Sequence, residues 1–119
     1  NLREQMNKSA VPAPHDVDEF EYVGLTKSPS KIVKCPQVAE SPIHLECKFT
    51  RSLNILSDDT KSPNTVVFGE VIGIHIEDDF LIDGKIDLMK LKPIGRLGYL
   101  DFVEVNNSFS LERPDWDTK

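Results

Sequence analysis

The segment Val66-Val67-Phe68-Gly69-Glu70-Val71-Ile72-Gly73-Ile74-His75-Ile76 constrains the fold more than any other. It is rich in β-branched residues and has no proline, so it reads as a strand. At a period of two, Val66, Phe68, Glu70, Ile72, Ile74 and Ile76 fall on one face, and Val67, Gly69, Val71, Gly73 and His75 on the other. Both faces are largely apolar, which predicts a central strand covered on both sides. In this count Gly69 and Gly73 share a face. Glycine weakens a strand unless it permits bending or close approach. In barrels it lets a strand coil around a corner. The pattern therefore favours a closed sheet.

A second strand precedes it. Ile43, Leu45, Cys47 and Phe49 alternate with His44, Glu46, Lys48 and Thr50, which predicts one buried and one wet face. Residues 51 to 64 hold Ser57-Asp58-Asp59 and Ser62-Pro63-Asn64, a loop between antiparallel strands. Downstream, Asp83-Gly84 predicts a type I′ hairpin. Leu88 to Leu91 adds a helical turn before Pro93. Tyr99 to Val105 alternates as a strand, and Phe109 to Leu111 reads as a short last one. Upstream, Leu2 and Met6 lie four apart on a short helix stopped by Pro12 and Pro14. Asp16 stands three residues before Glu19, at capping-box spacing, and Gly24 is a natural stop, so a helix is predicted over 17 to 23. Residues 25 to 41 carry three X-Pro steps and read as an irregular excursion, with Ile32 and Val33 as a short strand.

Composition narrows the chemistry. The 119 residues fit one domain, and the net charge of −6 with no basic stripe argues against nucleic acid. No apolar run approaches the roughly 18 residues of a membrane span. His15, His44 and His75 lack metal-ligand spacing, and no nucleophile elbow, dinucleotide or P-loop motif occurs. Glu77-Asp78-Asp79 and Asp58-Asp59 read as solvated loop charges. Cys35 and Cys47 form no CxxC pair, and Cys47 lies on an apolar strand face. Both read as free thiols, Cys47 buried, in a reducing compartment and so in the cytoplasm.

Taken in order, Asp18-Glu19-Phe20, Gly24-Leu25-Thr26, Glu40-Ser41-Pro42-Ile43-His44-Leu45-Glu46-Cys47, the Val66–Ile76 strand, Arg96-Leu97-Gly98-Tyr99 and Phe109-Ser110-Leu111-Glu112-Arg113-Pro114 resemble the flavin reductase-like family. The resemblance runs through most of the chain. It implies a mainly β fold, a Greek-key split barrel of the FMN-binding type with two short helices near the N-terminus. It implies one domain over 1–119 that lacks the family's N-terminal strands. It also implies an FMN cofactor, redox chemistry with NAD(P)H or a protein partner, and a homodimer or a complex with the missing segment. The alternative is a barrel remnant that acts as an interaction module without cofactor.

The same resemblance nominates cofactor-binding residues. Arg96, Gly98 and Tyr99 are expected at the flavin end, since arginine suits an anion, Gly98 permits close approach and Tyr99 offers a flat face. The competing reading of Arg96 is a cap on loop carbonyls. His75, beside the glycine face, is expected near the ring or, alternatively, as a partly buried structural histidine. Asn7, Thr26 and Lys27 lie in segments that combine hydroxyl or amide groups with a lysine, as a phosphate requires. Glu70 is expected to be buried and paired with Arg51 or Arg96.

Overall fold

The computed structural model describes residues 1–56 and 64–116. They fall into two compact units, Asn1–Glu77 and Asp78–Lys119. Regular structure is mostly β, in four two-stranded antiparallel ladders, and the described residues form no closed barrel.

The first unit opens with two short helices, α1 (Arg3–Ser9) and α2 (Glu19–Val23). The cap of α2 is Asp18, whose carboxylate accepts the Phe20 N–H at 3.0 Å, and not Asp16, because Asp18 is the residue that takes the extended conformation before the first turn. Gly24 ends the helix in the left-handed region at φ 74°. The excursion that follows is tied by a minimal ladder, β1 (Lys27–Ser28) with β2 (Gln37–Val38). Ile32 and Val33 lie in a bend, not a strand. Their N–H groups point at a side chain instead of a neighbouring strand.

The dominant feature is a long ribbon, β3 (Ile43–Ile55) against β4 (Asn64–Ile76). Strand β3 thus runs through Arg51–Ile55, which sequence assigned to the loop. Ser57-Asp58-Asp59 and Ser62-Pro63 lie outside the described residues.

Two register shifts shape the ribbon. Glu46 pairs with Gly73 but Cys47 with Val71, so Ile72 is an extra residue in β4. Phe49 pairs with Gly69 but Arg51 with Phe68, so Thr50 is an extra residue in β3. Each bulge adjoins a ladder pair that contains a glycine, and bulges bend and twist a ribbon. They also invert the alternation. One face carries His44 and His75, Glu46 and Gly73, Lys48 and Glu70, and Arg51 and Phe68 as opposed pairs. The other carries Leu45 and Ile74, Cys47 and Val71, and Phe49 and Gly69.

Several expectations change accordingly. Gly69 and Gly73 lie on opposite faces: a Cβ on Gly69 would meet Cys47, and one on Gly73 would meet Ile32. Glu70 is exposed and sits opposite Lys48, while Arg51 stacks over the Phe68 ring at 4.7 Å. Strand β4 is not covered on both sides. Leu45, Phe49, Val67 and Ile74 are each more than half exposed, and no apolar side chain among the described residues is fully buried. Cys47, placed on the core side by its alternation, is exposed, as is Cys35, and both thiols are free.

The second unit is a chain of small local structures. A 3₁₀ turn (Asp78–Phe80) leads into β5 (Leu81–Ile82) and β6 (Lys85–Ile86), joined by Asp83 at φ 50° and Gly84 at φ 73°. That is the expected type I′ turn. Asp87 caps α3 (Leu88–Leu91) by accepting the Met89 and Lys90 N–H groups, both at 3.0 Å. Strand β7 (Ile94–Arg96) pairs with β8 (Phe102–Glu104). The strand expected over Tyr99 to Val105 is shortened because Tyr99 and Leu100 form the turn, closed by Leu97 N–H to Asp101 C=O at 3.0 Å. Phe109 to Leu111 forms no strand.

Candidate functional site

Glu46 organises the polar face of the ribbon. It is 2% exposed, the one fully buried side chain among the described residues. A lone carboxylate is costly to bury unless its oxygens are satisfied. Here Oε1 accepts from Lys31 N–H at 2.9 Å, from Gln37 Nε2 at 3.3 Å and from His75 Nε2 at 2.6 Å. Oε2 accepts from the Ile32 and Val33 N–H groups, both at 2.7 Å. The bend at 31–33 thus cradles an anion supplied by the chain itself. Burial pushes the Glu46 carboxyl upward, but the Val33, Lys31 and Ile32 amides and His75 outweigh it and hold the group down at about 2.

His75 joins this centre from β4. Its side chain is 24% exposed, and its cross-strand partner is His44, whose Nε2 lies 2.8 Å from Val38 C=O. Gly73 lies next along the face, under the tip of the Ile32 side chain. Beside these residues, the segment Ser30 to Val38 and β3 enclose a cavity of about 420 Å³ whose lining includes Cys35, Gln37, His44, Glu46 and Cys47. No cluster of three or more metal-ligating side chains exists among the described residues.

Two of the nominated phosphate donors of the first unit, Thr26 and Lys27, are already engaged. Thr26 N–H donates to both Glu40 oxygens, at 2.9 and 3.2 Å. Thr26 holds the Glu40 carboxyl below its ordinary value, chiefly through its side chain. Lys27 Nζ is paired with Asp18, whose carboxyl is lowered first by that bond. Asn7 sits in the last turn of α1 and lines, with Glu4, Gln5, Lys8 and Val23, a cavity of about 380 Å³.

In the second unit, Arg96 lies over the Phe102 ring at 4.6 Å and donates through Nη2 to Tyr99 C=O. It therefore caps a loop carbonyl, the plainer of its two expected roles. Tyr99 stands at the turn tip, 95% exposed, with φ at 56°. Gly98 precedes it with open space where a Cβ would lie. Arg96, Gly98 and Tyr99 thus form one local group, and His75 belongs to another.

Sequence reasoning singled out His75 but missed Glu46, which alternation assigned to the wet face. No local pattern marks it. Its partners lie 9 to 15 residues upstream and 29 downstream, so only the fold brings them together.

No family model matches the chain. Over 111 residues it is 37% identical to an uncharacterized protein of Halalkalibacterium halodurans, a match that spans 93% of this chain and 53% of the relative. It is 35% identical over 102 residues to an uncharacterized protein of Aquifex aeolicus, spanning 85% and 49%. The chain thus spans about half the length of these curated relatives. Among solved structures, nitrilotriacetate monooxygenase component B of Bacillus cereus superimposes with a TM-score of 0.82 at 25% identity, over 92% of this chain and 55% of that one. A Shewanella frigidimarina protein described as a flavin reductase with a split barrel domain gives 0.77 at 22%, over 95% and 56%. Flavoredoxin of Desulfovibrio vulgaris gives 0.76 at 20%, over 92% and 56%.

Proposed function

Starting from a chain that has the fold of the flavin reductase-like split-barrel proteins, we propose that it contributes to a flavin site, with FMN as the cofactor, in an oxidoreductase supplied with electrons by NAD(P)H or by a partner protein. The observation that carries this reading is the superposition on nitrilotriacetate monooxygenase component B. A bound flavin would supply the redox chemistry, and the protein would bind and orient it.

The residues of this chain fit such a group at one end. Around His75 there is a partly exposed imidazole, a glycine floor at Gly73 and a displaceable cover in Ile32, which is 57% exposed. A flat ring is proposed to lie there once Ile32 moves aside. The phosphate end fits less well. Thr26 and Lys27 are matched by Glu40 and Asp18, so an incoming phosphate would have to displace a carboxylate from each. Asn7 presents an amide on the exposed side of α1 and remains a nominee. Further phosphate donors are therefore proposed to come from outside this chain, through a second copy in a homodimer or through a segment equivalent to the unmatched half of the relatives. The exposed apolar face of the ribbon, with Leu45, Phe49, Val67 and Ile74, gives such a partner something to cover. No helix of the described residues is long and apolar enough to cross a membrane. The free thiols Cys35 and Cys47 support a reducing location, proposed to be the cytoplasm.

The same matched donors favour a second reading, an interaction module with the fold but no cofactor. FMN titrated into the chain joined to a segment equivalent to the unmatched half of the relatives separates the two. A saturable shift of the flavin absorbance supports the cofactor reading, and an unshifted spectrum up to millimolar FMN supports the module.

A further inference from the structure

Glu46 at neutral pH is a carboxylate, since it is held at about 2. A carboxylate only accepts hydrogen bonds. The 2.6 Å contact from His75 Nε2 to Glu46 Oε1 therefore requires the proton on Nε2. In a neutral imidazole the other nitrogen, Nδ1, then carries a lone pair. No hydrogen bond to His75 Nδ1 exists among the described residues, and the ring is 24% exposed. The carboxylate itself cannot swing away, because three backbone amides and Gln37 hold it. Glu46 bonds to the ring, His44 is its cross-strand partner on β3, and the Ile32 side chain from the bend lies over the adjacent Gly73. His44 is turned toward Val38 C=O through its own Nε2, so it does not compete for the carboxylate.

We propose that Glu46 and His75 form a carboxylate–imidazole couple in which Glu46 is the positioning residue and His75 Nδ1 takes a proton from the N–H or O–H of a ligand seated on this face. The proton leaves the ligand heteroatom and bonds to Nδ1. The electron pair stays on the ligand, and the imidazolium so formed is paired with the buried carboxylate. Reversal returns the proton. This assignment rests on the flavin reading for its ligand and goes beyond it in naming a proton-handling group that binding alone would not need.

Long-range ¹H–¹⁵N NMR of the wild-type protein at neutral pH gives the first test and needs no variant. The result expected is His75 with its proton on Nε2, and a mixture of tautomers in Glu46→Gln. A dominant Nδ1–H form in the wild type overturns the proposal. The second test is the pH profile of NADH-driven FMN reduction in the chain joined to a segment equivalent to the unmatched half of the relatives, with His75 intact and as His75→Gln, whose amide can still donate to Glu46. A drop of about 100-fold at saturating FMN, with a changed pH profile, is expected for a lost general base. If FMN binds both proteins and their profiles superimpose, the couple is structural and the proposal fails. If neither protein binds FMN, the flavin reading fails first and takes this role with it.

Discussion

At the scale of single residues, Glu46 joins β3, β4 and the 31–33 bend through five donors. Its carboxyl is lowered in the folded chain, so its stabilising contribution is fully present above the ordinary glutamate value near 4.5. That contribution is lost as pH falls from there through about 2. Urea unfolding midpoints followed from pH 6 to pH 2 should therefore fall more steeply in the wild type than in Glu46→Gln. Parallel slopes would mean that Glu46 is not ionised where it lies. Protection factors for amide hydrogen exchange at Lys31, Ile32 and Val33, taken against the intrinsic rate at each pH, should fall over the same window. Gly73 gives a steric counterpart. A Cβ there would meet Ile32 Cδ1 at 2.7 Å and Glu46 Cβ at 3.5 Å. Gly73→Val should cost about 1–3 kcal/mol by overpacking. Adding Ile32→Ala should recover part of that loss, because neighbours in contact are not additive. Strictly additive effects would show that the two side chains do not meet.

At the scale of elements, what could be read from sequence was what is decided locally. Asp83-Gly84 gave its turn because two consecutive positive φ angles demand such residues. Gly84→Ala, at φ 73°, should accordingly destabilise the protein by about 1–2 kcal/mol, measured by thermal unfolding. An unchanged melting temperature would mean the turn is not formed. Gly24 marked its helix end for the same reason. Two long strands were also legible, from alternation in Ile43 to Thr50 and from β-branched density in Val66 to Ile76. Which side of the ribbon each residue occupies was not. A bulge at Ile72 and another at Thr50 each reverse the parity, and neither residue announces a bulge. Counting through them put both glycines on one face; Glu46 and Cys47 kept their predicted faces, but the 31–33 bend covers the polar one and the apolar one is left exposed. Arg96 and Tyr99 were noticed as a motif, but the turn that makes Arg96 cap Tyr99 C=O depends on pairing between β7 and β8.

At the scale of the whole molecule, the fold is that of split-barrel flavin reductases, carried by a chain that spans about half the length of its curated relatives. The apolar ribbon face stands uncovered among the described residues, and Thr26 and Lys27 are matched by internal carboxylates. The proposed flavin site, assembled in part from this chain, would account for both facts. Each missing charge-assisted bond to a phosphate would weaken binding by about 1.5–3 kcal/mol, so two or three together amount to several powers of ten. The decisive measurement is titration calorimetry of FMN into this chain alone and into the chain joined to a segment equivalent to the unmatched half of the relatives. The account predicts weak or undetectable binding by the chain alone and tight, stoichiometric binding by the joined protein. Failure of the joined protein to bind FMN would contradict the account and leave the cofactor-free module as the better description.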